Sequence, residues 1–189
     1  KQITRGEGIE WAPNITLSNK IFCLASGSST PAYPAILEKG RIREIRSDSY
    51  NSNFPDGKLV KPEQVIFNAT DGMKIHGQLF LPPNMKESQK YPAVLFFHGG
   101  SRRQMFLGYH HSAYYHNAYS LNQFLANNGY IVMSVNYRSG IGYGMEFREA
   151  LNYGARGASE FQDVLGAGLY LKNRADVNAE KIGLWGGSY

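Results

Sequence analysis

The sequence predicts an α/β fold, in which helices cover both faces of a largely parallel sheet, preceded by a shorter antiparallel β segment. Three apolar runs, at residues 93–97, 130–135 and 182–185, lack the alternation of a strand with one wet face. Such runs are typical of strands that are buried on both sides. Segments with helical spacing lie between them, so strands and helices alternate along the chain.

Residues 1–50 predict short antiparallel strands. Apolar runs at 21–25 and 34–37 are followed by an alternating run at 41–45, and serine and glycine turns separate the three. This part has too few apolar residues to build a core of its own. We therefore expect its strands to complete a larger sheet structure, such as the last blade of a β-propeller.

A domain boundary is predicted in residues 51–64, which are polar and irregular. The second domain then covers residues 65–189. It begins with a strand at 65–67 and a second, partly alternating strand at 73–81, which the turn at Asp71-Gly72 joins into a β-hairpin.

Two helices are predicted between the later strands. The first runs over about 119–127, with Leu121, Phe124 and Leu125 at helical spacing and Asn128-Gly129 closing it. The second places five residues on one face that we expect to pack on the sheet: Phe161, Val164, Leu165, Gly168 and Leu169. Its charged Glu160 and Asp163 are interpreted as solvated or capping charges. The crossovers are long enough to keep the later strands parallel.

Composition excludes several classes of function. The 189 residues carry 20 Lys and Arg against 15 Asp and Glu, a net charge of +5 without a long basic run, so we expect no nucleic-acid partner. No apolar stretch approaches the roughly 18 residues that a membrane helix needs. A single cysteine rules out an internal disulfide framework. Compartment and oligomeric state stay open, and we expect no cofactor.

A serine in a glycine-flanked turn is the most informative feature of the sequence. The apolar run at 182–185 breaks into Gly186-Gly187-Ser188-Tyr189, the pattern of the nucleophile elbow of an α/β-hydrolase. Such a turn exposes the serine oxygen, and the backbone N–H of the next residue, Tyr189, points to where an oxyanion would form. Hydrolases of this fold place their acid and histidine after the serine. We therefore expect both beyond residue 189, and we expect the 189 residues alone to be inactive.

A second motif, His98-Gly99-Gly100, directly follows the apolar run at 93–97. Glycines there free backbone amides for the other half of an oxyanion hole. His98 is interpreted as ordering this loop through hydrogen bonds, not as a general base. A zinc site at the other histidines of the region is not expected, because consecutive histidines converge poorly on one metal and no carboxylate stands nearby; these are His110, His111 and His116.

With these motifs the sequence resembles the prolyl oligopeptidase family of serine peptidases, most closely its acylaminoacyl-peptidase and dipeptidyl-peptidase branches. The stretches that carry the resemblance are 71–82, 97–100, 136–138 with 142–144, 163–171 and 182–189. The resemblance implies a β-propeller joined to a C-terminal α/β-hydrolase domain, of which this chain would hold the last blade (1–50) and the N-terminal half of the hydrolase (65–189).

The same resemblance implies roles for individual residues. Ser188 would be the nucleophile, and the oxyanion would accept hydrogen bonds from the Tyr189 N–H and from an amide at Gly100 or Gly99. Phe97 stands where the prolyl-specific and dipeptidyl branches carry a tyrosine donor, which argues against strict post-proline specificity. Arg138 lies in a loop whose order departs from the family pattern, so we do not assign it a substrate contact.

The sequence thus predicts a serine peptidase that acts on short peptides through an acyl-enzyme at Ser188. Two alternatives stay open. One is a carboxylesterase or lipase-like hydrolase on the same fold, because the His-Gly-Gly pattern also serves esterases. The other is a non-catalytic relative that acts as a binding module.

Overall fold

An antiparallel meander of four strands forms the N-terminal part of the protein in the computed structural model, which describes residues 2–45, 53–154 and 156–189. The strands are β1 (Ile9–Ile15), β2 (Ile21–Ser26), β3 (Tyr33–Glu38) and β4 (Arg41–Glu44), and they lie in that order. The three predicted strands are confirmed, and β1 is added at one edge. Pro13 is tolerated there because an edge strand leaves one row of backbone groups unpaired.

This first sheet has almost no core. Its buried side chains are Ala25, Ser26, Ala35 and Ile36. It is fastened to the rest of the protein through polar groups: the Ser26 hydroxyl donates to the Tyr109 carbonyl at 2.6 Å, and the Tyr109 N–H donates to the Gly27 carbonyl at 3.0 Å. The sheet therefore depends on neighbouring structure for burial, as its composition predicts.

A second, mixed sheet carries the main core. A short 3₁₀ turn (Asp56–Lys58) leads to its five strands: β5 (Glu63–Asn68), β6 (Lys74–Phe80), β7 (Tyr91–Phe97), β8 (Ile131–Asn136) and β9 (Val177–Gly186). Their order is β5-β6-β8-β7-β9, with β5, β6 and β8 antiparallel in succession and β7 parallel to both β8 and β9. The hairpin and the parallel later strands are confirmed. However, β9 lies at the edge of the described sheet and leaves Leu184 70% exposed, so its prediction as a buried strand is wrong.

Helices cover opposite faces of this sheet: α1 (Ala113–Asn127) and α3 (Glu160–Lys172), with a single turn, α2 (Met145–Arg148), between them. Val132 of β8 packs in one cluster with Tyr119 and Ala126 of α1. Its neighbours on the strand, Ile131 and Met133, join the other cluster with residues of α3. Successive side chains of a strand point to opposite faces, so the two helices lie on opposite sides.

The predicted first helix is present as α1, but its buried face is not the one that carries Leu121 and Phe124. The helix begins six residues earlier than expected, and Leu121 and Phe124 are exposed. Six other residues face the sheet: Tyr115, Ala118, Tyr119, Asn122, Gln123 and Ala126. They also follow the i, i+3, i+4 spacing of one helix face. Two tyrosines, two alanines and two amides make up this face, so its apolar periodicity is weak in the sequence.

The prediction that the apolar face of α3 packs on the sheet is wrong. Phe161, Leu165 and Leu169 are 53, 43 and 43% exposed. The helix turns its other side inward, with Glu160, Asp163, Gly166, Ala167 and Leu171 buried. The small residues Gly166 and Ala167 allow the helix to approach the sheet closely, and Asp163 forms an ion pair with Arg138.

Gly166 shows how close that approach is, and it gives a first prediction. A Cβ at Gly166 would lie 2.6 Å from the Asn68 carbonyl oxygen and 2.8 Å from Ala69 Cα, both backbone atoms. We expect Gly166→Ala to destabilise the domain by about 1–3 kcal/mol, because α3 must move off the sheet. Gly168→Ala, on the same helix with nothing within 4 Å, is expected to stabilise it by up to about 1 kcal/mol.

Urea denaturation of the two variants in the full-length protein measures both effects. Equal stability of the two variants would contradict the close contact at Gly166.

In the part of the chain that the structure describes, no helix has both the length and the apolar character needed to cross a bilayer.

Candidate active site

The serine turn has the strained backbone that its sequence predicts. β9 ends at Gly186, and Ser188 takes a left-handed φ of 76°. A residue with a side chain loses roughly 1–2 kcal/mol in that conformation, so the surrounding structure must hold it there. Gly186 passes so close to β7 that a Cβ would lie 2.5 Å from the Phe97 carbonyl oxygen. Ser188 itself is exposed at the surface.

The glycine loop after β7 lies directly against this turn. Phe97 at the end of β7 pairs with Gly186 at the end of β9, and because the strands are parallel their exit loops leave the same edge of the sheet. A Cβ on Gly99 would lie 2.9 Å from Ser188 Cβ and would overlap the Gly187 carbonyl oxygen. Only glycine at position 99 lets the two segments approach this closely.

Two tyrosine hydroxyls orient the glycine loop. Tyr137 donates to the His98 carbonyl at 2.7 Å, and Tyr115 donates to the Gly99 carbonyl at 3.0 Å. In a trans peptide the N–H points away from the C=O of the preceding residue, so fixing these carbonyls also fixes the directions of the Gly99 and Gly100 amides. No acceptor within the described ranges is bonded to either amide. The loop therefore presents two free donors beside Ser188.

His98 belongs to the support of this loop. Its side chain is 1% exposed, its ring stacks on Tyr137 at 4.3 Å, and its Nδ1 lies 3.2 Å from the Gly99 carbonyl oxygen. Burial lowers the pKa of His98 to about 4, so the ring is neutral at pH 7. This agrees with its interpretation as a residue that orders the loop.

A pocket of about 170 Å³ opens at the Tyr189 side chain, the residue that follows Ser188 in the chain. Its walls are mainly apolar and come from the ends of β7, β8 and β9, from the loop before α3 and from α3 itself: Phe97, His98, Tyr137, Gly154, Gly157, Glu160, Phe161, Val164 and Tyr189. The Tyr189 and Tyr137 rings lie parallel, with centroids 6.2 Å apart. The pocket has the shape and polarity for an apolar side chain of a substrate.

Glu160 forms the polar end of this pocket and was missed by sequence reasoning, which took it for a solvated charge. It is only 7% exposed. Its carboxylate accepts hydrogen bonds from the Ser139 hydroxyl, the Gly154 N–H and the Tyr189 hydroxyl, each at 3.0 Å. Burial, and then the bond to Glu160, raise the pKa of Tyr189, so its hydroxyl stays a donor. Glu160 thereby holds the Tyr189 ring in place.

A buried ion network lies beneath the site. It shows that the interpretation of Asp163, the second charge on α3, as a solvated or capping charge is wrong. Asp163 is fully buried and accepts from the Arg138 Nη2 at 2.7 Å and from the Arg138 backbone N–H at 2.8 Å. The Arg138 Nη1 also donates to Asp71 at 2.6 Å. Although burial disfavours the charged guanidinium, these bonds raise the pKa of Arg138. The arginine thus joins the β5–β6 turn, the end of β8 and α3, and it is occupied by this structural role.

The remaining histidines do not converge. His110 and His111 stack on each other at 4.1 Å, and His116 packs on Tyr109. Within residues 2–45, 53–154 and 156–189, no three His, Cys, Asp or Glu side chains are grouped as a metal would require.

The geometry as a whole defines a class of site: a parallel sheet edge that presents a serine in a strained turn beside free amides and an apolar pocket. Comparison with known proteins gives the family. The model of the prolyl oligopeptidase family matches residues 115–189, and the resemblance is thereby confirmed. These residues belong to the prolyl oligopeptidase family.

Two curated relatives support this assignment. The chain is 33% identical over 129 residues to the "Uncharacterized peptidase YuxL" of Bacillus subtilis, covering 68% of this chain and 18% of the relative. It is 32% identical over 150 residues to human "Dipeptidyl peptidase 8", covering 79% of this chain and 16% of the relative. The chain thus spans less than a fifth of the length of either relative. Both relatives are named as peptidases.

Solved structures match nearly the whole chain. The acylaminoacyl peptidase of Pyrococcus horikoshii superposes with a TM-score of 0.77 at 24% identity, over 98% of this chain and 28% of that one. An acylaminoacyl peptidase in complex with Z-Gly-Gly-Phe-chloromethyl ketone gives 0.74 at 26% identity, over 96% of this chain and 27% of that one. Both the first sheet and the second therefore have counterparts in such peptidases.

Proposed function

We propose that the full-length protein is a serine peptidase that hydrolyses short peptides, and that this chain supplies its nucleophile and oxyanion donors. The carrying observation is the contact between the Ser188 turn and the Gly99 loop, which the hydrolase mechanism requires and which two separate sequence motifs predict. In this proposal residues 1–50 end a β-propeller, 51–64 link it onward, and 65–189 begin an α/β-hydrolase domain. The four-stranded meander and the mixed sheet with helices on both faces support that division.

Ser188 would attack the carbonyl carbon of the scissile bond. Its hydroxyl proton passes to a general base, the amine leaves with a proton, and an acyl-enzyme forms that water then hydrolyses. The negative oxygen of the tetrahedral intermediate would accept hydrogen bonds from the Tyr189 N–H and from the amide of Gly100 or Gly99. The base and its acid partner are expected outside residues 1–189. His98 is a poor candidate for the base because it is buried and carries a low pKa.

The pocket supports an apolar substrate side chain next to the scissile carbonyl. Phe97, Phe161 and Val164 form its apolar wall. The names of the relatives fit a peptide substrate, since they are called dipeptidyl and acylaminoacyl peptidases. The absence of a hydroxyl on Phe97 supports a donor set built from backbone amides alone.

Active-site labelling of the full-length protein tests the proposal. We expect a fluorophosphonate probe to form a covalent adduct on Ser188, located by mass spectrometry of proteolytic peptides, and we expect peptide hydrolysis to accompany it. Ser188→Ala should abolish labelling, while Ser18→Ala, in the exposed turn between β1 and β2, should keep it. Labelling with turnover of esters alone would favour the carboxylesterase, and a folded protein without labelling would favour the binding module.

A further inference from the structure

A second pocket, also of about 170 Å³, lies further along the loop that leaves β7. Eight residues line it, from that loop, from the start of α1 and from the turn after β8: Arg102, Arg103, Gln104, Phe106, His110, His111, Ser112 and Ile141. No aspartate or glutamate is among them. The pocket is thus basic and partly aromatic, unlike the apolar pocket beside Tyr189.

One positive charge in this pocket has no counter-charge. Arg102 is occupied, because its guanidinium donates to Glu149 at 2.8 Å, to the Tyr153 hydroxyl at 2.9 Å and to the Ser139 carbonyl at 3.2 Å. Arg103 is exposed, and its guanidinium has neither an ion pair nor a hydrogen bond with any residue that the structure describes. An unpaired guanidinium in a cleft is the group that proteins use to bind carboxylates.

His110 shapes the pocket and adds no positive charge to that of Arg103. His110 is 3% exposed, and its Nδ1 accepts the Ser112 N–H at 2.9 Å, which requires that nitrogen to be unprotonated. Burial lowers the pKa of His110 to about 4. Its ring stacks on Phe106 with centroids 4.9 Å apart, which gives the pocket a flat wall.

The backbone of Arg103 is held at a fixed place relative to the glycine loop. Its N–H donates to the Ser101 carbonyl at 2.7 Å, and its own carbonyl accepts the Ile141 N–H at 3.1 Å. Arg103 follows Gly99 by four residues, which span at most roughly 14 Å when extended. The pocket wall is closer still, since His110 packs edge-to-face on Tyr115 at 5.2 Å and Tyr115 is bonded to Gly99.

We propose that this pocket binds a carboxylate of the peptide substrate, with Arg103 as the residue that determines the preference. This inference rests on the proposed peptidase function. Two to three extended residues cover roughly 7–11 Å, which lies within the upper bound of roughly 14 Å between Gly99 and Arg103. The free C-terminal carboxylate of a short peptide lies on the leaving-group side of the scissile bond at that distance. An acidic side chain is the other source of the same group.

The test compares three peptides of one sequence with the full-length enzyme: the free acid, its C-terminal amide, and the amide with aspartate at the last residue. We expect the free acid to exceed the amide in kcat/KM by about tenfold, the effect of one charge-assisted hydrogen-bonded pair. Arg103→Gln should remove this preference and Arg103→Lys should keep part of it. Arg41→Gln, on the exposed strand β4, is the matched control and should leave it unchanged.

The outcomes separate this inference from the proposed function. A tenfold preference for the aspartate-bearing amide that is lost in Arg103→Gln also supports the pocket and assigns the carboxylate to a side chain. Equal cleavage of all three peptides by the wild-type enzyme overturns the pocket while leaving the peptidase in place. A protein that cleaves none of them and takes no fluorophosphonate label overturns both.

Discussion

Gly99→Ala in the full-length enzyme is expected to lower kcat for peptide hydrolysis by at least about 100-fold, the scale of losing one oxyanion donor. The added methyl group would overlap the Gly187 carbonyl oxygen and approach Ser188 Cβ to 2.9 Å. Both neighbours belong to a backbone turn that is already strained at Ser188, so the two segments must separate. Separation moves the amide donors and the nucleophile apart, which costs transition-state stabilisation more than substrate binding.

The control for this loss is Gly183→Ala, on the strand that leads into the serine turn. Gly183 is exposed and a Cβ there meets nothing within 4 Å, so kcat should stay within about twofold of the wild type because nothing near the site moves. Steady-state kinetics measures both variants, with circular dichroism to verify folding. If Gly99→Ala retains wild-type kcat, the oxyanion role of this loop is excluded.

Asp163→Ala is expected to destabilise the domain by about 3–5 kcal/mol, because it leaves the buried Arg138 with only the partly exposed Asp71 as a counter-charge and leaves the Arg138 backbone N–H without its acceptor. Asp163 is fully buried and satisfies both the guanidinium and the backbone N–H of Arg138. The network joins three elements, so its loss should also loosen the end of β8, where Tyr137 orients the glycine loop. Urea denaturation of the full-length protein gives the change in free energy of unfolding.

Asp71→Ala is the matched control, since it removes the other carboxylate of the same arginine. The Asp71 side chain is 40% exposed, so water weakens its ion pair with Arg138. Asp71→Ala should therefore lower the free energy of unfolding by about 1 kcal/mol or less. Equal losses for the two variants would show that burial does not set the strength of this network.

The order of strands and helices in the second domain could be predicted because each element carries a local signal. The apolar run at 130–135 corresponds to β8 (Ile131–Asn136), a fully buried strand in the middle of the sheet, and Asp71-Gly72 forms the predicted hairpin turn. The serine turn and the glycine loop were predicted for the same reason. Their glycines mark places where two backbone segments approach closely, as at Gly99 and Gly186.

The orientation of the helices could not be predicted from periodicity. The stripe containing Phe161 and Leu165 is regular, but periodicity does not tell which face lies against the sheet. That choice depends on partners distant in sequence. Gly166 packs closely against the Asn68 backbone, and the Asp163 carboxylate accepts hydrogen bonds from Arg138. For the same reason Glu160 was taken for a surface charge, although three donors from separate loops surround it.

The site was predictable in its backbone and not in its side-chain surroundings. Ser188 and the amides of Gly99 and Gly100 follow from short motifs. The tyrosines that orient them do not, because Tyr115 lies 16 residues and Tyr137 39 residues away from the carbonyls they bind. An unpaired arginine such as Arg103 likewise becomes visible only once the acidic residues are placed.

The left-handed backbone at Ser188 restricts which chemistries evolution or engineering can install at that position. A β-branched residue is strongly disfavoured at φ of 76°, so threonine, although it also carries a hydroxyl, does not fit the turn. Cysteine has the same branching as serine and keeps the geometry. A thiol is therefore an alternative attacking group that fits this turn without rebuilding the loop around it.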